Sequence, residues 1–323
     1  MSRYHRRRAA AAVMAFAALA AGAPAVTAPA QPAKPATPAT PVAQQTFATP
    51  EKAMAALASA WRTGHASDLL AIFGPAGVSL ARSGDHVADR LARRRMAAAY
   101  DAAHRIELQG TDKAVLVLGE AQWPYPIPLV KHAGAWRFDV KAGARQIIDR
   151  RIGRNEIHVI GTARRYVEAQ AFYAARLAAH GGKREFAQRI ASAPGQRDGL
   201  YWPTANGDEE SPLGPMVAIA EMRGYQPPTD TDHQPYEGYI FRVLTAQGEH
   251  APGGARSYLA DGHMTGGFAL VAYPARYGDS GIMTFIVNQD GIVWERNLGP
   301  DTARQAPAIT AYDPGSGWRV SEP

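Results

Sequence analysis

Gly278-Asp279-Ser280-Gly281 sets a serine between glycines, a setting in which a hydroxyl can be presented as a nucleophile. His104, after Ala102-Ala103, and Asp139 would complete a triad in the chain order His, Asp, Ser. The chain also holds 10 histidines. His233 follows Asp230 and Asp232, His263 follows Asp261, and His250 lies nearby, residue types that could ligate a metal. Gly248, Gly253, Gly254, Gly262, Gly266 and Gly267 crowd one stretch, as in a phosphate-cradling loop. Trp123-Pro124-Tyr125-Pro126 offers aromatic surface to a glycan or peptide.

Each of these must be positioned by its elements, and the elements argue for plainer roles. Gly278 to Gly281 matches the nucleophile segment of trypsin-like serine proteases, which are built from two β-barrels. Here the histidine ends a helix in one half of the chain and the serine lies between two strands of the other. Ile282 stands where a further glycine belongs, and Asp and Ser between glycines are ordinary turn residues. The segment is therefore expected to be a turn, with Gly281 holding a backbone angle that other residues avoid. No histidine pair has the i, i+4 spacing of a zinc helix, and the oxygens lack the spacing of a calcium loop. None of the glycines opens a helix, so they suit turns and bulges. Asp208-Glu209-Glu210 reads as an exposed acidic turn, and the aromatics at 123–126 as packing. No catalytic, cofactor-binding or metal-binding residue is assigned, and no cofactor is expected.

The opening of the chain sets the compartment. Arg3, Arg6, Arg7 and Arg8 precede an Ala-rich apolar run over 9–21, followed by small-residue sites at Ala23-Pro24-Ala25 and Ala28-Pro29-Ala30. That is the pattern of a secretory signal peptide over 1–25, with the mature chain expected to begin near Val26 or Gln31. Arg7-Arg8 lacks the fuller twin-arginine motif, which favours the general secretory route. The chain has no cysteine, so disulfides, thiolate metal sites and lipid attachment at cysteine are excluded. A periplasmic or secreted protein is expected, with no permanent membrane anchor after cleavage.

The charge balance argues against nucleic acid. Residues 1–46 hold five of the 35 Lys and Arg and none of the 29 Asp and Glu. The remainder, 30 basic against 29 acidic, has a net charge near +1, whereas a nucleic-acid-binding domain keeps a strongly basic patch. Arg93-Arg94-Arg95 and Arg150-Arg151 are short runs of the kind found on solvated helix faces.

Residues 26–46, nearly all Pro, Ala, Thr and Gln, form a linker that buries too little apolar surface to fold. A first α+β domain is expected over 47–150. Thr49-Pro50-Glu51 opens a helix whose Met54, Leu57, Ala58 and Trp61 share a face. Helices around 67–73 and 86–103 follow, then strands at 114–118, 127–131 and 135–140, the last two a hairpin. A second α+β domain is expected over 151–323. A helix from about Arg154 to Ala179 carries a stripe through Val159, Ala163, Tyr166, Gln170 and Tyr173. A short helix near 185–193 precedes strands at 239–245, 268–273, 282–287 and 292–296.

The segments 123–131, 136–139, Arg150-Arg151-Ile152-Gly153-Arg154-Asn155-Glu156, 238–248 and 266–275 together resemble the bacterial secreted family called domain of unknown function 2950 (DUF2950). That resemblance spans nearly the whole mature chain and implies no particular activity. Helices followed by a meander in the first half resemble the nuclear-transport-factor-2-like fold. The second half, from Arg154-Asn155-Glu156 to the 281–293 segment, is similar to the soluble part of type IV pilin-like proteins, a helix across an antiparallel sheet. Here a folded domain precedes the helix, so only the fold is implied and not filament assembly. The expected role is a non-catalytic envelope protein that binds or supports an envelope protein or glycan. The alternative is an envelope-polymer hydrolase working in the cleft between the domains.

Overall fold

The computed structural model describes residues 43–205, 208–229 and 234–322. The leader, most of the Pro/Ala linker and the Asp230-Asp232-His233 group lie outside the described residues. The fold is α+β, with all strand pairing in its sheets antiparallel.

The first half opens with α1 (Pro50–Thr63), α2 (Ala66–Phe73), the single turn α3 (Val78–Ala81) and α4 (His86–Ala102). Thr49 caps α1 by accepting from the Lys52 N–H, and Gly64 closes it in the left-handed region. Strands β1 (His104–Gln109), β2 (Lys113–Leu118), β3 (Trp123–Pro124), β4 (Leu129–His132) and β5 (Ala135–Phe138) then form one sheet in the order β1-β2-β4-β5, with β3 against β2. The β4–β5 hairpin turns through Ala133 and Gly134, both at positive φ. Leu57, Trp61, Phe73, Leu116, Ile127 and Phe138 lie at the heart of this core, which takes its buried residues from Phe47 to Val140. Tyr125 is buried there against Trp61 and Trp123, so the aromatic segment packs inside.

The helix expected from Arg154 is longer: α5 runs from Val140 to Ala179, 40 residues. Gly143 and Gly153 lower the helical propensity of its first turns, but Asp139 caps it and packing overrides the rest. Gly143 is required for space, because a Cβ would come within 2.0 Å of the Pro126 carbonyl oxygen.

After α5 the described residues of 180–213 carry no helix, so the short helix expected at 185–193 is corrected. Phe186 bridges to Met264 and Ala191 to Tyr201, and Gln170 of α5 holds the chain extended by bonding both backbone groups of Ala187. A helix not foreseen, α6 (Gly214–Met222), follows. The remaining strands are β6 (Tyr239–Leu244), β7 (Ala246–Gln247), β8 (Arg256–Ser257), β9 (Leu259–Ala260), β10 (His263–Met264), β11 (Ala269–Pro274), β12 (Met283–Asn288), β13 (Trp294–Asn297) and β14 (Arg319–Val320), with a last short helix α7 (Thr302–Gln305) before β14. The main sheet runs β14-β13-β12-β11-β6, and β7/β8 and β9/β10 are small ribbons. Helix α5 packs on β11 and β12, burying Val159, Ile160, Ala163, Tyr166 and Tyr173 against Leu270, Phe285 and Val287. No helix among the described residues is long and apolar enough to cross a membrane.

Candidate functional site

The triad does not assemble. Ser280 is fully buried, and its hydroxyl accepts from the Arg276 N–H at 3.0 Å and donates to the Arg276 carbonyl at 3.1 Å. His104 stacks on Tyr100 and bonds that residue's carbonyl, and Asp139 is the α5 cap. The Gly278–Gly281 segment is a turn, in which the Gly278 N–H donates to the Gly281 carbonyl. Gly281 is glycine for another reason than backbone angle: a Cβ there would lie 2.0 Å from the Tyr239 hydroxyl oxygen.

That turn belongs to a junction that gathers the motif residues of both halves. Asn155 donates to the Ser280 carbonyl at 2.9 Å. One oxygen of Glu156 accepts from the N–H groups of Ile282 and Met283. Arg151, half-buried, donates to the carbonyls of Ser79 and Leu80 in α3. Burial pushes its pKa down while Asp89 and Asp279 pull it up. Arg150 lies over the Trp123 ring, and Arg93 bonds the Ala81 carbonyl. Asp85 is the hub. One of its oxygens caps α4 through Val87 and Ala88, and the other accepts from the Tyr225 hydroxyl and the Gly238 N–H, both at 2.9 Å. Gly238, at φ 83°, leaves no room for a side chain beside Asn155 and Ser280.

The described histidines and acidic residues are dispersed. His250 pairs with Asp313 and His263 with Glu185, and Glu209 bridges Arg176 and Arg197 beside Trp202. Among the described residues no group of three or more metal-ligating side chains is drawn together.

Next to the Asp85 junction lies a cavity of about 630 Å³ that sequence reasoning missed. It draws on both halves: α4 gives His86, Val87 and Arg90, α5 gives Thr162 and Tyr166, and α6 gives Met216, Val217 and Ala220. Phe241 and Val243 of β6 and Leu270 of β11 form its sheet wall, and the segment after α6 adds Tyr225, Pro227, Pro228 and Tyr236. Val87, Leu213, Val217 and Leu270 are buried, whereas His86, Gln188, Gln226 and Gln234 are exposed, which gives an apolar floor and a polar mouth. No Asp or Glu stands among its described lining residues. Burial raises the pKa of the Tyr166, Tyr225 and Tyr236 hydroxyls above their ordinary value, and Asp85 and Glu237 reinforce this at Tyr225. These three tyrosines are neutral at physiological pH. The α4, α5, β6 and β11 walls of the cavity were expected from the sequence as separate elements, but α6 and the convergence of these walls were not.

The sequence profile of a family described as "Protein of unknown function (DUF2950)" matches residues 44–321. The chain belongs to that family. Neither the curated proteins nor the solved structures give a match. The DUF2950 region therefore takes in the two sheets, the Asp85 junction and the cavity.

Proposed function

We propose that this DUF2950 protein is an exported, non-catalytic binding protein of the cell envelope, and that its ligand is a small, largely apolar molecule held in the cavity between α4, α5, α6 and β6. The observation that carries this reading is the cavity itself: about 630 Å³, an apolar floor and a polar mouth, within the size range of small-molecule sites. A hydrolase reading wants titratable groups of perturbed pKa brought to bear on one point. The groups on these walls whose pKa is shifted are tyrosines, and the shift is upward, away from the range useful to an acid or base near neutral pH, so binding is favoured. Export rests on the Arg-rich, Ala-rich opening, and intact-mass measurement of protein from the native host should show residues up to about 25 or 30 removed.

The halves 47–150 and 151–323 are proposed as two domains. In support, the large core of the first half takes its residues from 47–147, and that of the second from 159 onward. We relate the first to the nuclear-transport-factor-2-like fold and the second to pilin-like soluble domains, on the grounds of helices beside a meander.

The test is displacement of an environment-sensitive apolar dye from the mature protein. Wild type should bind it, and Met216→Trp, which fills the cavity from a half-buried position, should lose binding while keeping its circular dichroism. Unchanged dye binding in Met216→Trp would remove the cavity as the site.

A further inference from the structure

Building on the reading of the cavity as a ligand site, we infer that the ligand is a single-chain amphiphile with an anionic head, its head held by Arg90 and its hydrocarbon chain laid over the apolar floor.

The charge argument comes first. Arg90 is half-buried on α4, on the cavity wall, and its hydrogen bond to the Gly224 carbonyl is a long one, 3.4 Å from Nη2. It has no carboxylate partner among the described residues. Of the acids described nearby, Asp85 accepts four hydrogen bonds, and Glu237 pairs with Arg223 and His158. A guanidinium presents a fork of donors that a carboxylate or phosphate satisfies in a bidentate way, and it gains most at the edge of a low-dielectric space. The end of the Arg90 side chain lies against Gly224, where a Cβ would come within 2.5 Å of Nη2.

The floor excludes the other class expected from the sequence. A glycan entering the cavity would bring hydroxyls against Val87, Leu213, Val217 and Leu270, side chains with no hydrogen bond to offer. A hydrocarbon chain meets those side chains without loss. The carboxylate of a free fatty acid and the phosphate of a lysolipid share the required head, and the experiment separates them.

The experiment is calorimetric titration of the full mature protein with alkanoates of 10 to 16 carbons, their methyl esters, and alkyl phosphates. Affinity should rise about fourfold per added methylene until the chain fills the cavity. The anion should bind at least about tenfold tighter than its ester, Arg90→Gln should remove that preference, and Arg90→Lys should restore part of it. Tighter binding of the carboxylate than of the phosphate at equal chain length assigns a fatty acid, and the reverse assigns a lysolipid. If anion and ester bind equally in wild type, or Arg90→Gln weakens both alike, the anionic head is wrong and the cavity reading stands. If no chain binds, or Met216→Trp leaves all binding unchanged, the cavity reading itself falls.

Discussion

Tyr225 donates its hydroxyl hydrogen to Asp85 at 2.9 Å, across 140 residues of sequence, and Asp85 is at the same time the cap of α4. One buried carboxylate thus fastens a helix start in the first half to the segment that walls the cavity in the second. Asp85→Ala should destabilise the protein by about 3 kcal/mol, combining a lost cap with stranded buried donors at Tyr225 and Gly238. Tyr225→Phe should cost about 1 kcal/mol, and a double-mutant cycle by urea denaturation should reveal coupling between the two. Additive effects would mean that the contact contributes nothing.

The buried tyrosines make stability sensitive to alkali. Burial raises the folded-state pKa of Tyr125, Tyr166 and Tyr225 above the ordinary value of 10.0, and that of Tyr258 to about 12. A raised folded-state pKa contributes stability that is complete below pH 10 and is lost as pH climbs through the folded values, because the unfolded chain ionises first. Denaturation midpoints should therefore be insensitive to these groups from pH 7 to 9 and fall above pH 10. Tyrosinate absorbance should appear partly with unfolding, and full reversible titration near pH 10 in the folded protein would contradict the burial.

Ser280→Ala should cost about 1 kcal/mol, the value of the hydroxyl's bonds to Arg276, and a fluorophosphonate probe should leave Ser280 unlabelled. Gly281→Ala should cost more, about 3 kcal/mol, because the added methyl meets the Tyr239 ring, which the Met283 carbonyl and Glu156 hold in place. Thermal denaturation ranks the two, and the reverse order would place the constraint in the serine.

Residues 47–150 and 151–323, expressed separately, should each give a cooperative transition, since each includes the residues of its own large core. That cut severs α5 and divides a small cluster of Val87, Ala220 and Tyr225, so both fragments should be less stable than in the full chain. If neither fragment folds, the halves share one cooperative unit.

The sequence by itself determined what repeats at short range. The α5 stripe from Val159 to Tyr173, the alternation of 135–138 and the turn at 278–281 follow from periodicity and turn chemistry, which are local properties. It also carried the family, through motifs such as Arg150-Arg151-Ile152-Gly153-Arg154-Asn155-Glu156. Locality is also why α5's first 14 residues escaped notice: Gly143 and Gly153 weaken the helix there, and the contact with Pro126 that calls for Gly143 is made by the bend between β3 and β4. Only the tertiary structure decided that Asn155, Glu156 and Arg151 act as fasteners, that Asp85 meets Tyr225 and Gly238, and that Arg90 stands at the edge of an apolar cavity. Those relationships join residues more than 70 positions apart, and no spacing rule reaches them because the distance is set by how the helices and sheets pack.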